Sequence, residues 1–404
     1  MLYLAYQAHT DLVEPAKSLA RHSLSMLGDW GAQANAPMLR NLSATYELIS
    51  RVGLTHSRPA YGIPAVTVGN REVDVSEEAV LTLPFGALLR FKKDIDIEQP
   101  RVLVVAPLSG HFATLLRNTV RTLLPDHDVY ITDWHNARDV SLDDGRFGFE
   151  DYVTYIIRFL EKMGPGSHLV AVCQPCVQAL VAAAVMAADA NPAQPSSMTL
   201  MAGPIDTRVN PTKVNKLATS KPMSWFERNL IARVPWRYPG ARRMVYPGFV
   251  QLAAFVSMNI NRHYNAHQEL YEHLRNGEHA KAQTIKTFYD EYFAVLDLAA
   301  EFYLETVSWV FQETRLPKGE LTYQGNKVDL RAIRKTALLT VEGERDDICG
   351  LGQTASAHDM CTGLRPHMKR HHMQVGVGHY GVFSGRRWEG QIYPLVRNMI
   401  HSTG

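Results

Sequence analysis

The segment "SHLVAVCQPCVQALVAAAVMAA", residues 167–188, sets two cysteines at C-x-x-C spacing between an apolar run and an alanine-rich run. His168 to Val172 reads as a strand and Val177 to Ala188 as a helix. Three chemistries use such a stretch. A redox dithiol at a helix N-terminus fits the local geometry, because the helix dipole lowers the first thiol's pKa. The motif sits within a longer α/β series, however, and Val172 stands where the tryptophan of such sites is usual. A structural zinc needs further ligands at matching spacing. Cys349 and Cys361 do not repeat the pattern, and His371 with His372 has no partner pattern either. The third reading compares "AVCQP" with the G-x-S-x-G elbow, in which a nucleophile sits on a strained turn between strand and helix. Ala171 and Pro175 then occupy the glycine positions and Cys173 the centre. Proline suits the first turn of a helix, where no amide donor is needed.

An elbow nucleophile needs an acid and then a histidine, each in a loop after a late strand. "ALLTVEGERDDICG" supplies a strand, Gly343, and Asp346 three residues on. "MQVGVGHYGVF" supplies a strand and His379 between glycines. The chemistry uses all three. His379 takes the thiol proton and returns it to the leaving alkoxide, while Asp346 fixes the imidazole tautomer. The oxyanion hole is expected from the amide of Gln174 and a second amide, Leu108 or Ser109, in the "LSGH" loop. Asp347 and Asp206 compete for the acid, with Asp346 preferred on its spacing from Gly343. Cys176, one turn into the helix, is expected to pack rather than to act as a resolving thiol. His111 and Trp134, the latter within "DWHNA", are candidate substrate contacts. His371 and His372 are expected in a solvated stretch.

Residues 1–95 read as a helical and short-strand extension packed on the core, with helical spacing up to about residue 60 and Val/polar alternation beyond it. Residues 96–210 and 326–404 alternate strands with helices, which predicts an α/β core with a mostly parallel sheet and flanking helices. Residues 211–325 read as a helical insertion rich in aromatics, among them Trp225, Phe226, Trp236, Tyr238, Tyr246, Phe249, Tyr292, Phe293 and Trp309. Trp225 and Tyr246 are the candidates for an apolar substrate surface; the alternative is that such residues form the insertion's own core.

The chain has 404 residues, 46% hydrophobic and 20% charged, as expected for a soluble protein with a sizeable core. A net charge of +2 gives no general pull on nucleic acid. Four cysteines are too few for a secreted disulfide scaffold. The N-terminus lacks the pattern of a signal peptide and no apolar window is long enough for a transmembrane helix, so a reduced, cytoplasmic protein is expected. No metal and no cofactor are called for. A homodimer is expected only because closed dimers are the commonest assembly.

"VCQP" at the elbow, "LSGHFATLLR" in the early loop, "YITDWHNARDVSL" and the late "GVGHYGVFSGRRW" together resemble intracellular polyhydroxyalkanoate (poly-3-hydroxybutyrate) depolymerases, over most of the chain. The resemblance implies an α/β-hydrolase fold with a helical lid, and a cysteine nucleophile of the kind shared with polyester synthases. It implies a carboxylic ester hydrolase acting on stored polymer, at the surface of intracellular granules. Carried over by motif, Cys173 is the nucleophile, Asp346 the acid and His379 the base. Two rival functions use the same cysteine: a polyester synthase or acyltransferase, and thiolysis with coenzyme A in place of water. A third is a non-catalytic granule coat.

Overall fold

The chain is described here from a computed structural model covering residues 2–31, 37–258 and 260–403. Two helices, α1 (Leu2–Gly31) and α2 (Pro37–Ser50), pack on each other. The strands β1 (Ala65–Val68), β2 (Arg71–Leu83) and β3 (Gly86–Lys93) follow, then β4 (Arg101–Val105), α3 (Arg117–Leu123), β5 (Asp128–Trp134), α4 (Phe149–Met163), β6 (His168–Val172), α5 (Cys176–Ala188) and β7 (Ser197–Met201). After a long insertion, β13 (Ala337–Gly343) and β14 (Lys369–Gln374) complete one nine-stranded sheet in the order β1-β2-β3-β5-β4-β6-β7-β13-β14. From β5 to β14 all neighbours are parallel, whereas β1, β2, β3 and β5 pair antiparallel.

The parallel centre follows from composition. β6, β7 and β13 are buried along their whole length, and β4 at all but its first residue. Such strands must be covered on both faces by helices. α5 is correspondingly apolar all round, buried from Cys176 to Ala184, and packs against α4. The region expected as short strands is instead dominated by the 13-residue β2 and joins the main sheet through β3 and β5. β2 is exposed along most of its length, so its side-chain pattern carries little sign of the sheet it belongs to.

The chain leaves β4 for β5 on one side and returns to β6 on the other. The loops after β4 and β6 therefore meet at a topological switch point, where open α/β sheets place their sites. The insertion lies over this end. It contains α6 (Lys213–Thr219), α7 (Met223–Leu230), a small sheet of β8 (Ala232–Arg233), β9 (Met244–Tyr246) and β10 (Leu298–Ala299), and the helices α8 (Gly248–Met258), α9 (Ile260–Arg275), α10 (His279–Tyr292) and α11 (Ala300–Thr306). α11 continues into a π-helical turn, Val307–Gln312, and a two-strand hairpin, β11 (Thr322–Tyr323) and β12 (Asn326–Lys327), leads back to the core. Among the described residues no helix is long and apolar enough to cross a membrane.

Trp134, at the end of β5, is a core residue and not a substrate contact. It is 1% exposed, its indole N–H donates to the Ala106 carbonyl at 2.8 Å, and its ring lies 4.2 Å from that of Tyr152. Trp134→Ala is therefore expected to cost roughly 3–5 kcal/mol in urea unfolding, the range for a buried aromatic. A residue that only contacted substrate would leave stability within about 0.5 kcal/mol.

Candidate active site

Cys173 occupies the turn between β6 and α5 with φ +68°, a left-handed conformation that side chains other than glycine rarely adopt. Its amide donates to the Met201 carbonyl at 2.8 Å, and its carbonyl accepts from the Cys176 amide at 3.1 Å. Pro175 caps α5, and its carbonyl accepts from Ala179 at 2.8 Å. The turn is thus held from the neighbouring strand on one side and the helix on the other. Cys176 lies beneath it, fully buried, with its thiol directed at the Ala171 and Met201 carbonyls at 3.4 and 3.6 Å. Burial, with the nearby Cys173, pushes that thiol well above its ordinary pKa, so Cys176 packs and does not ionise. The packing leaves no slack: a Cβ on Gly203 would lie 2.2 Å from Cys176 Cβ.

Asp346 follows β13. Its Oδ1 accepts from the amides of Ile348 and Cys349 at 2.9 and 2.8 Å, and its Oδ2 accepts from His379 Nδ1 at 2.8 Å. The His379 and Asp346 side chains are 5% and 1% exposed. The tautomer set by that bond leaves Nε2 of His379 uncommitted to Asp346, and Cys173 is among the groups acting on the ring. Burial alone would lower the histidine's pKa, but the charges of Cys173 and Asp346 outweigh it and hold the ring well above 6.5. The rival acids are elsewhere: Asp347 is exposed, and both oxygens of Asp206 are taken by Arg208 at 2.7 and 2.8 Å.

Cys173, Gln174, Leu108 and Ser109 line one cavity of about 340 Å³. The loop carrying Leu108 and Ser109 is anchored at Gly110, whose carbonyl accepts from Leu296 at 3.0 Å. Gly110 has φ +93° and packs so closely on Gln251 of α8 that a Cβ would lie 2.8 Å from its Cγ. Next to Leu296, Asp297 is fully buried and accepts from Tyr3 Oη at 2.7 Å and from the Gly248 amide, at the start of α8, at 2.9 Å. Burial pushes its carboxyl up to about 6 against these donors.

The insertion supplies the rest of the cavity. Tyr246 lines it and stacks on Tyr303 at 3.8 Å. Trp225 does not line it; the neighbouring Phe226 does, because α7 turns that face inward. His111 is likewise no wall residue: it is 3% exposed, bridges to Val295 and lies 5.2 Å from the Tyr292 ring. Phe302, Val307 and Phe311 line the cavity without having been singled out as candidates, and a π-helical turn, often found at functional sites, carries the last two. His371 and His372 lie on β14, His371 exposed and His372 half-buried, as a solvated stretch would be. A more open hollow of about 900 Å³ between α1, α2, α9 and α10 contains none of these groups. Its cations are already paired, Lys286 with Glu47 and Arg51 with Glu47 and Asp290 among them.

Of the four cysteines only Cys173 is more than marginally accessible. Iodoacetamide on the folded protein is expected to modify Cys173 alone, with Cys176, Cys349 and Cys361 labelled only after denaturation. Peptide mass spectrometry reads the outcome directly.

Solved structures similar to the chain include a putative lipase from Acinetobacter baumannii AYE (13% identity, TM-score 0.44, 82% of this chain and 93% of that one). Others are a Bacillus megaterium epoxide hydrolase (10%, 0.48, 83% and 99%) and the thioesterase domain from the curacin biosynthetic pathway (12%, 0.42, 81% and 99%). A search of curated proteins returns no match. The family model described as PHB de-polymerase C-terminus matches residues 202–404, a span that holds Asp346, His379 and the whole insertion but ends short of Cys173. Half of the sequence lies within that match, and the chain belongs to the PHB depolymerase family.

Proposed function

We propose that the protein hydrolyses the ester bonds of amorphous poly(3-hydroxybutyrate) through an acyl-enzyme on Cys173. The observation that carries the reading is the buried Asp346–His379 hydrogen bond beside Cys173, which sits on a left-handed turn at the wall of an apolar cavity. The Cys173 thiolate attacks an ester carbonyl, and the oxyanion is met by the Gln174 amide and an amide of the 108–109 loop. The C–O bond breaks, the alkoxide takes the proton from His379 Nε2, and the shortened chain leaves with a free hydroxyl. His379 then takes a proton from water, the hydroxide adds to the thioester, and the C–S bond breaks to release the acid and restore the thiolate.

In this reading the insertion is a lid. Its aromatic and aliphatic side chains, Phe226, Tyr246, Phe302 and Tyr303 among them, give the polyester an apolar bed. The protein works in the cytoplasm at the surface of polymer granules, needs no cofactor, and a homodimer is its proposed assembly. Trp236, 89% exposed, is one of several large apolar residues on the surface that would meet such a solid.

Cys173→Ala is expected to lower release of 3-hydroxybutyrate units from amorphous polymer by about four orders of magnitude. Asp346→Asn should cost on the order of 10⁴ in kcat, through the wrong imidazole tautomer. A Cys173→Ala enzyme keeping a tenth of the wild-type rate would sink the proposal. Running the assay with and without coenzyme A identifies the acyl acceptor: hydroxybutyryl-coenzyme A as the product would favour thiolysis. Because His379 is held well above 6.5, kcat/KM should remain high past that pH and fall only where the imidazolium finally loses its proton.

A further inference from the structure

Glu342 sits near the end of β13, 3% exposed, and is not one of the three residues Cys173, Asp346 and His379. Its Oε1 accepts from the amides of Thr354 and Ala355 at 2.8 and 3.0 Å, and its Oε2 accepts from the amide of Gly352 at 2.9 Å. Three converging main-chain donors suit a carboxylate, which only accepts; an amide in its place would present an N–H₂ to donors. His371 Nε2 on β14 lies 3.9 Å from Glu342 Oε2, and the Cys349 thiol is a further titratable neighbour.

The turn that Glu342 holds connects two parts of the site. Toward its start, the Cys349 amide donates to Asp346 Oδ1 at 2.8 Å. At its far end, Thr354 is fully buried, and its hydroxyl both accepts from the Gly203 amide at 2.8 Å and donates to the Gly203 carbonyl at 2.9 Å. Gly203 is the residue pressed against Cys176 and, at 3.1 Å from its would-be Cβ, the Cys173 carbonyl. We propose that Glu342 is a positioning residue: by fixing the 352–355 turn it holds the Asp346 loop and the Cys173 elbow at one mutual distance, acting through Thr354 and Gly203.

The proposal rests on the catalytic reading above. If Asp346 is less firmly placed, His379 loses part of the charge that raises its pKa, and the imidazolium supports the thiolate less. The groups facing His379 are Cys173, Asp346 and the rings of Tyr380 and Phe383, so Asp346 is the carboxylate whose displacement it would register. The window of the thiolate–imidazolium pair should narrow from both sides.

The test compares the full-length wild type with Glu342→Gln, Glu342→Asp and Thr354→Val, all checked for folding by thermal melting. In Glu342→Gln, kcat on amorphous polymer should fall ten- to a hundredfold, about the cost of a 1 Å misplacement, with KM within about threefold. The alkaline limb of kcat/KM should move to lower pH, and the onset of Cys173 alkylation by iodoacetamide to higher pH. Glu342→Asp should recover part of both shifts. If Glu342→Gln does not fold, the same two shifts in Thr354→Val carry the proposal. Folded variants with both limbs unmoved overturn it, even where activity drops, since that drop would reflect stability alone. If the wild type releases no product, the catalytic reading fails, while the alkylation profile still decides the role of Glu342.

Discussion

A cysteine held in the left-handed region is the constraint on which the rest depends. Such a conformation at a residue with a side chain costs about 1–3 kcal/mol and persists only where its surroundings over-determine it. Here they do. The amide of Cys173 is tied to β7, its carbonyl to the first turn of α5, and Ala171 and Cys176 are fully buried on either side. The small residues of this region follow from that. Ala171 and Gly203 leave room for strand, helix and the following loop to converge, and Cys176 fills what remains without a partner thiol. The C-x-x-C spacing is thus a packing arrangement around one accessible sulfur.

Around that turn the chain assembles its site from distant pieces. β4 and β6 bring the 108–109 loop and Cys173 to the switch point, β13 and β14 deliver Asp346 and His379, and the insertion roofs the cavity. The roof is anchored to the early loop at one short segment, where Leu296 binds Gly110 and Asp297 holds the first amide of α8. Gln251, one turn along α8, then rests on Gly110. A helix of the insertion and the loop expected to supply an oxyanion donor are therefore mechanically one unit.

Much of this was legible in the residue order. Short, continuously apolar strands separated by helices announce a parallel sheet, because no other fold buries both faces of so many strands. The order Cys173, Asp346, His379, each after a strand, needed only local spacing to be noticed. What was hidden depended on orientation or on distant contacts. Trp225 and Phe226 are adjacent, and only the packing of α7 decides which faces the cavity. Trp134 ends a strand beside the site, yet its indole is claimed by the Ala106 carbonyl. His111 follows a loop glycine, but Val295, far along the chain, covers it. The long β2 hairpin reads as an extension because its exposed pattern conceals its pairing with the main sheet through β3.

β14 closes one side of the nine-stranded sheet and has a neighbour, β13, on one side only. Among the described residues no strand pairs with its other side, the kind of edge on which a strand from another molecule can add and begin aggregation. The residues along it are Lys369, Arg370, His371 and His372, in the positions where positive or ionisable side chains discourage such addition. The loop bearing His379 follows this strand, so the edge strand and the histidine share one support. A foreign strand that drew β14 aside would displace His379 relative to Cys173 as well.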